Sequence, residues 1–268
     1  MRFLIMTDIE GVTGVTTYQQ AENSQFGRDM LMNDLLAVID GIRANGDHEI
    51  VVYDMHTDGR NVDMSLLPEN VDAVVGKPIL GDLYRGVGAD FDGLFLVGLH
   101  AMGREPGAML AHSYLIQYDA IWLNGKKVGE IGIEAALAGE QGIPLVFVSG
   151  DDKGCKEALA LNPQIVTAVV KESLGDFQAR CFTPIKTRGI LKEAARKAAE
   201  KAGSIRPMAP ELPAQIQIDF SQCRYLEVMK QLHPELFIED DKIAFSGDNF
   251  LRCWSEYLLK EKEMITNA

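Results

Sequence analysis

The 268-residue sequence predicts an α/β fold: a three-layer, mostly parallel sheet core with a smaller C-terminal α+β domain. Two observations lead to this prediction. Short apolar runs recur through the first two-thirds of the chain without polar alternation, as in strands that are buried on both faces. Helical stretches separate these runs, which is the order of strands and crossover helices in a parallel sheet. We expect the core domain to span residues 1–185 and the smaller domain residues 186–268.

The elements of the first domain follow in chain order. Apolar residues at helical spacing predict a helix over residues 26–44, and Gly46 is a suitable end for it. Asn124-Gly125 predicts a hairpin turn between two short strands, and Glu130 opens the helix that follows. Apolar runs predict the remaining strands at residues 2–7, 50–53, 71–75, 93–99, 144–149 and 165–170, with a further helix over residues 153–161.

The last third has a different pattern, which begins after Phe182-Thr183-Pro184. Amphipathic spacing predicts helices over residues 190–202, 224–232 and 250–264. Strands are predicted over residues 215–220, which alternate like a half-exposed strand, and over residues 242–246. This mixture of short strands and helices is the α+β unit.

Charge and composition exclude several classes of function. The chain has 26 Lys and Arg against 39 Asp and Glu, a formal net charge of −13, and no basic stripe for a phosphate backbone or an anionic membrane. Its apolar runs are shorter than the roughly 20 residues needed to span a bilayer. Asp8 comes too early for a signal peptide, and the four cysteines form no C-x-x-C pair. We therefore expect a reduced, cytoplasmic protein.

Acidic and imidazole side chains follow three of the predicted strands. Asp8 and Glu10 come directly after the first strand, where residues two apart point to the same side. His56 and His100 each lie at the end of another strand. Ligands of parallel α/β sheets bind outside the carboxyl ends of the strands, so these side chains can share one site. Taken alone, Asp8 and Glu10 fit a solvated acidic turn better than a functional site.

Two further candidates lie between His100 and the second half of the chain. His112 follows a Pro106-Gly107 turn, and Glu130 follows the predicted hairpin. A glutamate in the first turn of a helix can also serve only to complement the helix dipole. His48 and His233 have the sequence context of surface or loop residues, and we assign them no function.

Together, these residues suit a pair of divalent ions. Three carboxylates and two imidazoles without a thiolate favour zinc, manganese or cobalt. Two such ions about 3.5–4 Å apart activate a water for hydrolysis. His112 is then a proton donor or acceptor, because an imidazole titrates near neutral pH. The residues in this set are Asp8, Glu10, His56, His100 and Glu130 for the metals, and His112 for catalysis.

The combination resembles the D-aminopeptidase family of dinuclear zinc metallopeptidases, formerly called dipeptide-transport proteins. The motifs that carry the resemblance are Thr-Asp-Ile-Glu-Gly at 7–11, Asp-Met-His at 54–56, Gly-Leu-His-Ala at 98–101, Ala-His-Ser at 111–113 and Asn-Gly-Lys-Lys-Val-Gly-Glu-Ile-Gly at 124–132.

The resemblance implies two zinc ions per subunit and a short peptide or amino-acid amide as substrate, with D-residues at its amino terminus. Asp8 resembles the bridging ligand, Glu10 and His100 complete one zinc site, and His56 and Glu130 complete the other. His112 matches the residue described in the family as a nucleophile, and a general acid–base role is equally open. The resemblance also implies a homo-oligomer, a ring of ten subunits around a channel.

Three other functions are compatible with some of the same residues. A binuclear-metal phosphoesterase acting on a small substrate needs the same pair of ions. A two-metal exonuclease would need more acidic ligands and a basic groove, which the net charge of −13 disfavours. A non-catalytic peptide-binding protein is the third hypothesis, in which metals are structural or absent.

Overall fold

A computed structural model of the protein describes residues 1–77 and 84–268. Within these ranges the strands are β1 (Arg2–Thr7), β2 (Glu49–Asp54), β3 (Val71–Val74), β4 (Gly93–Leu99), β5 (Tyr118–Leu123), β6 (Lys126–Val128), β7 (Leu145–Asp151), β8 (Val166–Gly175), β9 (Gln178–Cys181), β10 (Ala214–Phe220), β11 (Phe237–Glu239) and β12 (Lys242–Gly247). The helices are α1 (Tyr18–Asn23), α2 (Gln25–Arg43), α3 (Glu130–Glu140), α4 (Asp152–Leu161), α5 (Pro184–Lys201), α6 (Arg224–Leu232) and α7 (Phe250–Asn267).

The main sheet places three of the candidate loops side by side. Its strand order in the described ranges is β3-β2-β1-β4-β7-β8-β9. All neighbours are parallel except β8 and β9, which form an antiparallel hairpin at one edge. The chain moves outward from β1 to β3 and then returns to the other side of β1 with β4. The carboxyl ends of β1 and β4 therefore flank a crevice, the usual position of a ligand in an open α/β sheet.

Packed layers cover both faces of this sheet. In β1, Phe3 and Ile5 point to one face and belong to a core with α2 and α5. Leu4 and Met6 point to the other face and join a core with α3, α7 and the second sheet. This burial on both faces explains the continuous apolar run of β1, and it confirms the predicted three-layer core. In the described residues, none of the helices combines the length and the apolar composition that crossing a bilayer requires.

The second sheet is antiparallel, with the order β11-β12-β10-β5-β6 in the described part of the chain. The predicted hairpin joins β5 to β6, and both turn residues have positive φ, 50° at Asn124 and 75° at Gly125. Such φ values are what a tight two-residue hairpin turn requires. The sheet takes strands from both sides of residue 185, since β5 and β6 precede that residue and β10, β11 and β12 follow it. The division of the chain into two domains at residue 185 stays a prediction.

Candidate metal centre

Three neighbouring strands deliver the first ligand-type side chains to one edge of the main sheet. Asp8 and Glu10 follow β1, His56 follows β2, and His100 follows β4. Asp8, Glu10, His56 and His100 are all at most 5% exposed. The chain turns sharply after β1, where the Asp8 N–H donates to the Val97 carbonyl at 2.8 Å. The pairing of β1 with both β2 and β4 thus brings side chains that are distant in sequence into one buried cluster.

Asp8 lies between the two imidazoles. Its Oδ1 is 2.8 Å from His56 Nδ1, and its Oδ2 is 3.4 Å from His100 Nε2. Glu10 Oε2 lies 3.0 Å from the same His56 nitrogen. On the other side, Glu130 Oε1 lies 3.5 Å from His100 Nε2. The shortest contacts therefore group Glu10 with His56 and Glu130 with His100, with Asp8 common to both groups.

Glu130 reaches the cluster from the second sheet. It is the first residue of α3, directly after the β5–β6 hairpin, and it is 7% exposed. The Tyr114 N–H donates to Glu130 Oε1 at 2.8 Å, and this contact fixes the carboxylate. The helix dipole alone does not account for Glu130, since its carboxylate faces His100 and His112.

His112 stacks on His100 and faces the same space. The two rings are 4.1 Å apart between centroids and 10° from parallel, and His112 Nε2 is 3.8 Å from Glu130 Oε1. His112 Nδ1 lies 2.9 Å from the Leu110 carbonyl, which can only accept, so this nitrogen carries the proton and donates the hydrogen bond. In the neutral ring this leaves the Nε2 lone pair free and directed toward the cluster.

The cluster contains polar atoms that the protein itself leaves unsatisfied. Four of them are buried without a hydrogen-bond partner in the described residues: Asp8 Oδ2, Glu10 Oε2, His56 Nε2 and His100 Nε2. Two groups place one ligand atom per residue within 4.8 Å of one another, Asp8 with Glu10 and His100, and His100 with His112 and Glu130. Buried polar atoms normally have partners, so this set of oxygen and nitrogen donors fits bound divalent cations.

The electrostatics of the cluster agree with that fit. Burial raises the pKa of Asp8, but the close imidazoles of His100 and His56 outweigh this effect through their positive charge and lower the pKa well below its usual value. Burial lowers the pKa of His56, yet the charge of Glu10 and the hydrogen bond to Asp8 raise it to about 11. Protons on the imidazoles thus balance the buried carboxylates. Bound cations would take over this role, because metal binding displaces ligand protons.

Two carboxylates to which the sequence analysis gave no role hold the ligand-bearing loops: Asp54, which is buried, and Glu157, which is half-buried. Asp54 accepts hydrogen bonds from the backbone of the loop that carries His56, including the His56 N–H at 3.2 Å. Glu157, in α4, accepts from the Met102 N–H at 2.9 Å and the Gly129 N–H at 3.2 Å. It thereby ties the loop after His100 to the start of α3. A half-buried glutamate on an amphipathic helix carries no sequence signal for this role.

Five side chains of the cluster line a cavity of about 730 Å³: Asp8, Glu10, His56, His112 and Glu130. The lining also includes side chains of α7, among them Glu261, whose Oε1 accepts a hydrogen bond from the Tyr118 hydroxyl at 2.8 Å. Tyr18 of α1 and Tyr225 of α6 also line it. The remaining two histidines lie elsewhere: the ring of His48 packs on Phe3, and His233 ends α6.

Comparison with known proteins gives consistent matches. The family model described as D-aminopeptidase, peptidase M55, matches residues 1–257. A D-aminopeptidase of Bacillus subtilis (strain 168) is 28% identical over 225 residues, which cover 82% of this chain and 82% of that protein. A solved structure of the Zn-dependent D-aminopeptidase DppA from Bacillus subtilis, described as a self-compartmentalizing protease, is 24% identical, with a TM-score of 0.89. The match covers 100% of this chain and 99% of the other.

Proposed function

Because this chain belongs to the D-aminopeptidase family of peptidases, we propose that it is a metal-dependent aminopeptidase that acts on short peptides or amino-acid amides. The D-configuration of the amino-terminal residue is the preference that the family description suggests. One observation supports the proposal: five carboxylate and imidazole side chains from four separate segments of the chain line one cavity of about 730 Å³, namely Asp8, Glu10, His56, His112 and Glu130.

The proposed cofactor is zinc, with two ions per subunit. The relative DppA is described as Zn-dependent, and the oxygen and nitrogen donors here suit that metal. Asp8 would bridge the ions, since its two carboxylate oxygens face different imidazoles. The resemblance in sequence groups Glu10 with His100 and His56 with Glu130. The ligand atoms of Asp8, Glu10 and His100 lie within 4.8 Å of one another, which supports the first of these groups, whereas the shortest contacts join Glu10 to His56 and His100 to Glu130.

The side chains around the proposed ions have separate tasks. Such a pair of ions, when bound, polarises the scissile carbonyl and lowers the pKa of a water from near 16 to about 7. His112 presents Nε2 to the reaction space, because its Nδ1 is held by the Leu110 carbonyl. We assign it a general acid–base role, in which Nε2 would accept a proton from the attacking water and then pass it to the leaving amine. Tyr18 contacts the His112 ring edge-on at 5.8 Å between centroids and limits its rotation.

The assembly and the location complete the proposal. We propose a homo-oligomer, ten subunits by the family resemblance, since the relative DppA is described as self-compartmentalizing. Exposed apolar side chains suited to subunit contacts include Ile185, 89% exposed, and Leu174, 67% exposed. The four cysteines are unpaired, as expected in a reducing compartment, and this supports a cytoplasmic location.

The proposal is tested by reconstitution. Protein stripped of metal with a chelator is reloaded with zinc, manganese or cobalt and assayed on D-Ala-D-Ala, on L-alanine amides and on p-nitrophenyl phosphate. We expect peptide or amide cleavage that depends on metal. The His56→Ala variant should lose metal and turnover, while His48→Ala, outside the cluster, should retain both. Cleavage of the phosphate ester alone would replace the proposal with a phosphoesterase, and absence of both metal and turnover would favour a peptide-binding protein.

A further inference from the structure

Lys171 is a buried charged residue on β8, directly after the apolar Val169 and Val170. Its side chain is 0% exposed. Moving an ammonium group from water into a protein interior is costly unless strong hydrogen bonds or charges compensate. The partners of Lys171 therefore indicate why the residue is there.

All three hydrogen bonds of the ammonium go to one segment, residues 8–15, which we call the acidic loop. Lys171 Nζ donates to the carbonyl oxygens of Glu10 at 2.5 Å, Val12 at 2.8 Å and Val15 at 2.6 Å. An ammonium has three N–H donors, so its full donor capacity is used on this loop. Burial lowers the pKa of Lys171 to about 8, and the nearby negative charge of Asp151 offsets part of this effect, so the ammonium is the main form below that pH.

Two strands hold the acidic loop. The Gly11 N–H donates to the Gly98 carbonyl of β4 at 2.7 Å. Lys171 reaches the loop from β8, although β4 and β7 separate β8 from β1 in the sheet. The lysine side chain thus connects a distant strand to the turn that presents the first two candidate ligands.

We infer that Lys171 is a positioning residue for the proposed metal centre, which it serves by fixing the peptide unit of Glu10. The orientation of that carbonyl fixes the backbone conformation at Glu10 and therefore the direction of the Glu10 side chain. Asp8 and Glu10 approach the same nitrogen of His56, at 2.8 and 3.0 Å, so rotation of one peptide unit would separate their oxygens. The inference rests on the function proposed above.

Lys171→Met tests this role, because methionine keeps the length of the side chain and removes the ammonium. Val170→Ala is the matched control, since it opens a small cavity one residue away, in the core with α2 and α5. Zinc affinity of the full-length chain is measured by competition with a chromophoric chelator, and the visible spectrum of the cobalt-loaded protein reports ligand geometry. Substitutions around metal ligands typically weaken binding 10- to 100-fold.

We expect roughly this 10- to 100-fold loss of zinc affinity and an altered cobalt spectrum for Lys171→Met. Val170→Ala should lower Tm while keeping both the affinity and the spectrum. If Lys171→Met does not yield folded protein, Lys171→Gln, which keeps two N–H donors without the charge, should show a smaller loss of the same kind. Wild-type affinity and spectrum in the lysine variants would refute the role of Lys171 alone. Failure of the wild-type protein to bind zinc would refute the metal centre itself.

Discussion

Substituting Gly98 by alanine would place a methyl group against the acidic loop. The Cβ atom would lie 2.2 Å from the Asp8 carbonyl oxygen and 2.6 Å from Val12 Cγ1, far inside van der Waals contact, and the φ of Gly98 is +79°. A residue other than glycine at such a φ costs about 1–2 kcal/mol. Crowding of a packed site costs about 1–3 kcal/mol more. We therefore expect Gly98→Ala to lower the free energy of unfolding by about 2–5 kcal/mol.

Gly142→Ala separates these two costs. Its φ of +83° is similar, but nothing lies within 4 Å of the added Cβ, so only the backbone cost of about 1–2 kcal/mol remains. Urea unfolding followed by circular dichroism, at one protein concentration, measures both variants, and a zinc titration measures the centre. Gly98→Ala should also weaken zinc binding, because the displaced atom belongs to Asp8. Equal destabilisation of the two variants, with zinc affinity unchanged, would refute the packing argument.

Three other outcomes follow from the geometry. His112→Ala should lower kcat about 10²- to 10⁴-fold with zinc affinity retained, whereas His233→Ala should change neither; turnover that survives would contradict the role given to His112. Burial raises the pKa of Asp34 to about 6, so the folded state binds its proton more tightly and the contribution of this group to stability falls as pH rises from about 4 to 6. Carboxyl ¹³C NMR checks this, and a midpoint below pH 4 would contradict it. Glu157→Gln leaves one of the two backbone N–H groups of Met102 and Gly129 facing an amide nitrogen, so it should lower the free energy of unfolding in urea by about 1–3 kcal/mol and weaken zinc binding. Wild-type stability and zinc affinity would argue against the role of Glu157 in joining these two segments.

Local patterns predicted the strands and the positions of the candidate ligands well. The apolar run at residues 2–7 forms β1 because a strand buried on both faces needs apolar residues at every position. His56 and His100 lie beside Asp8 because the carboxyl ends of parallel strands share an edge, a rule that needs no knowledge of the intervening chain. The metal roles of these residues remain predictions.

Features that depend on contacts between distant residues could not be predicted from the sequence patterns. Lys171 contacts a loop about 160 positions away, and its neighbours on β8 show only that a lysine ends an apolar run. The pairing of β10 with β5 across residue 185 is equally non-local, since alternation marks each strand without naming its partner. Helix α5 begins at Pro184, earlier than residue 190, because proline is favourable in the first turn of a helix.

Anomalous diffraction at the zinc edge, from crystals of the zinc-loaded protein, tests the central claim most directly. The account predicts two peaks about 3.5–4 Å apart, each about 2.0–2.2 Å from an oxygen of Asp8, with Glu10, His56, His100 and Glu130 as the remaining protein ligands of the two ions. Absence of zinc from this cluster, with the carboxylates of Asp8 and Glu130 hydrogen-bonded directly to protonated imidazoles, would contradict the proposed metal centre.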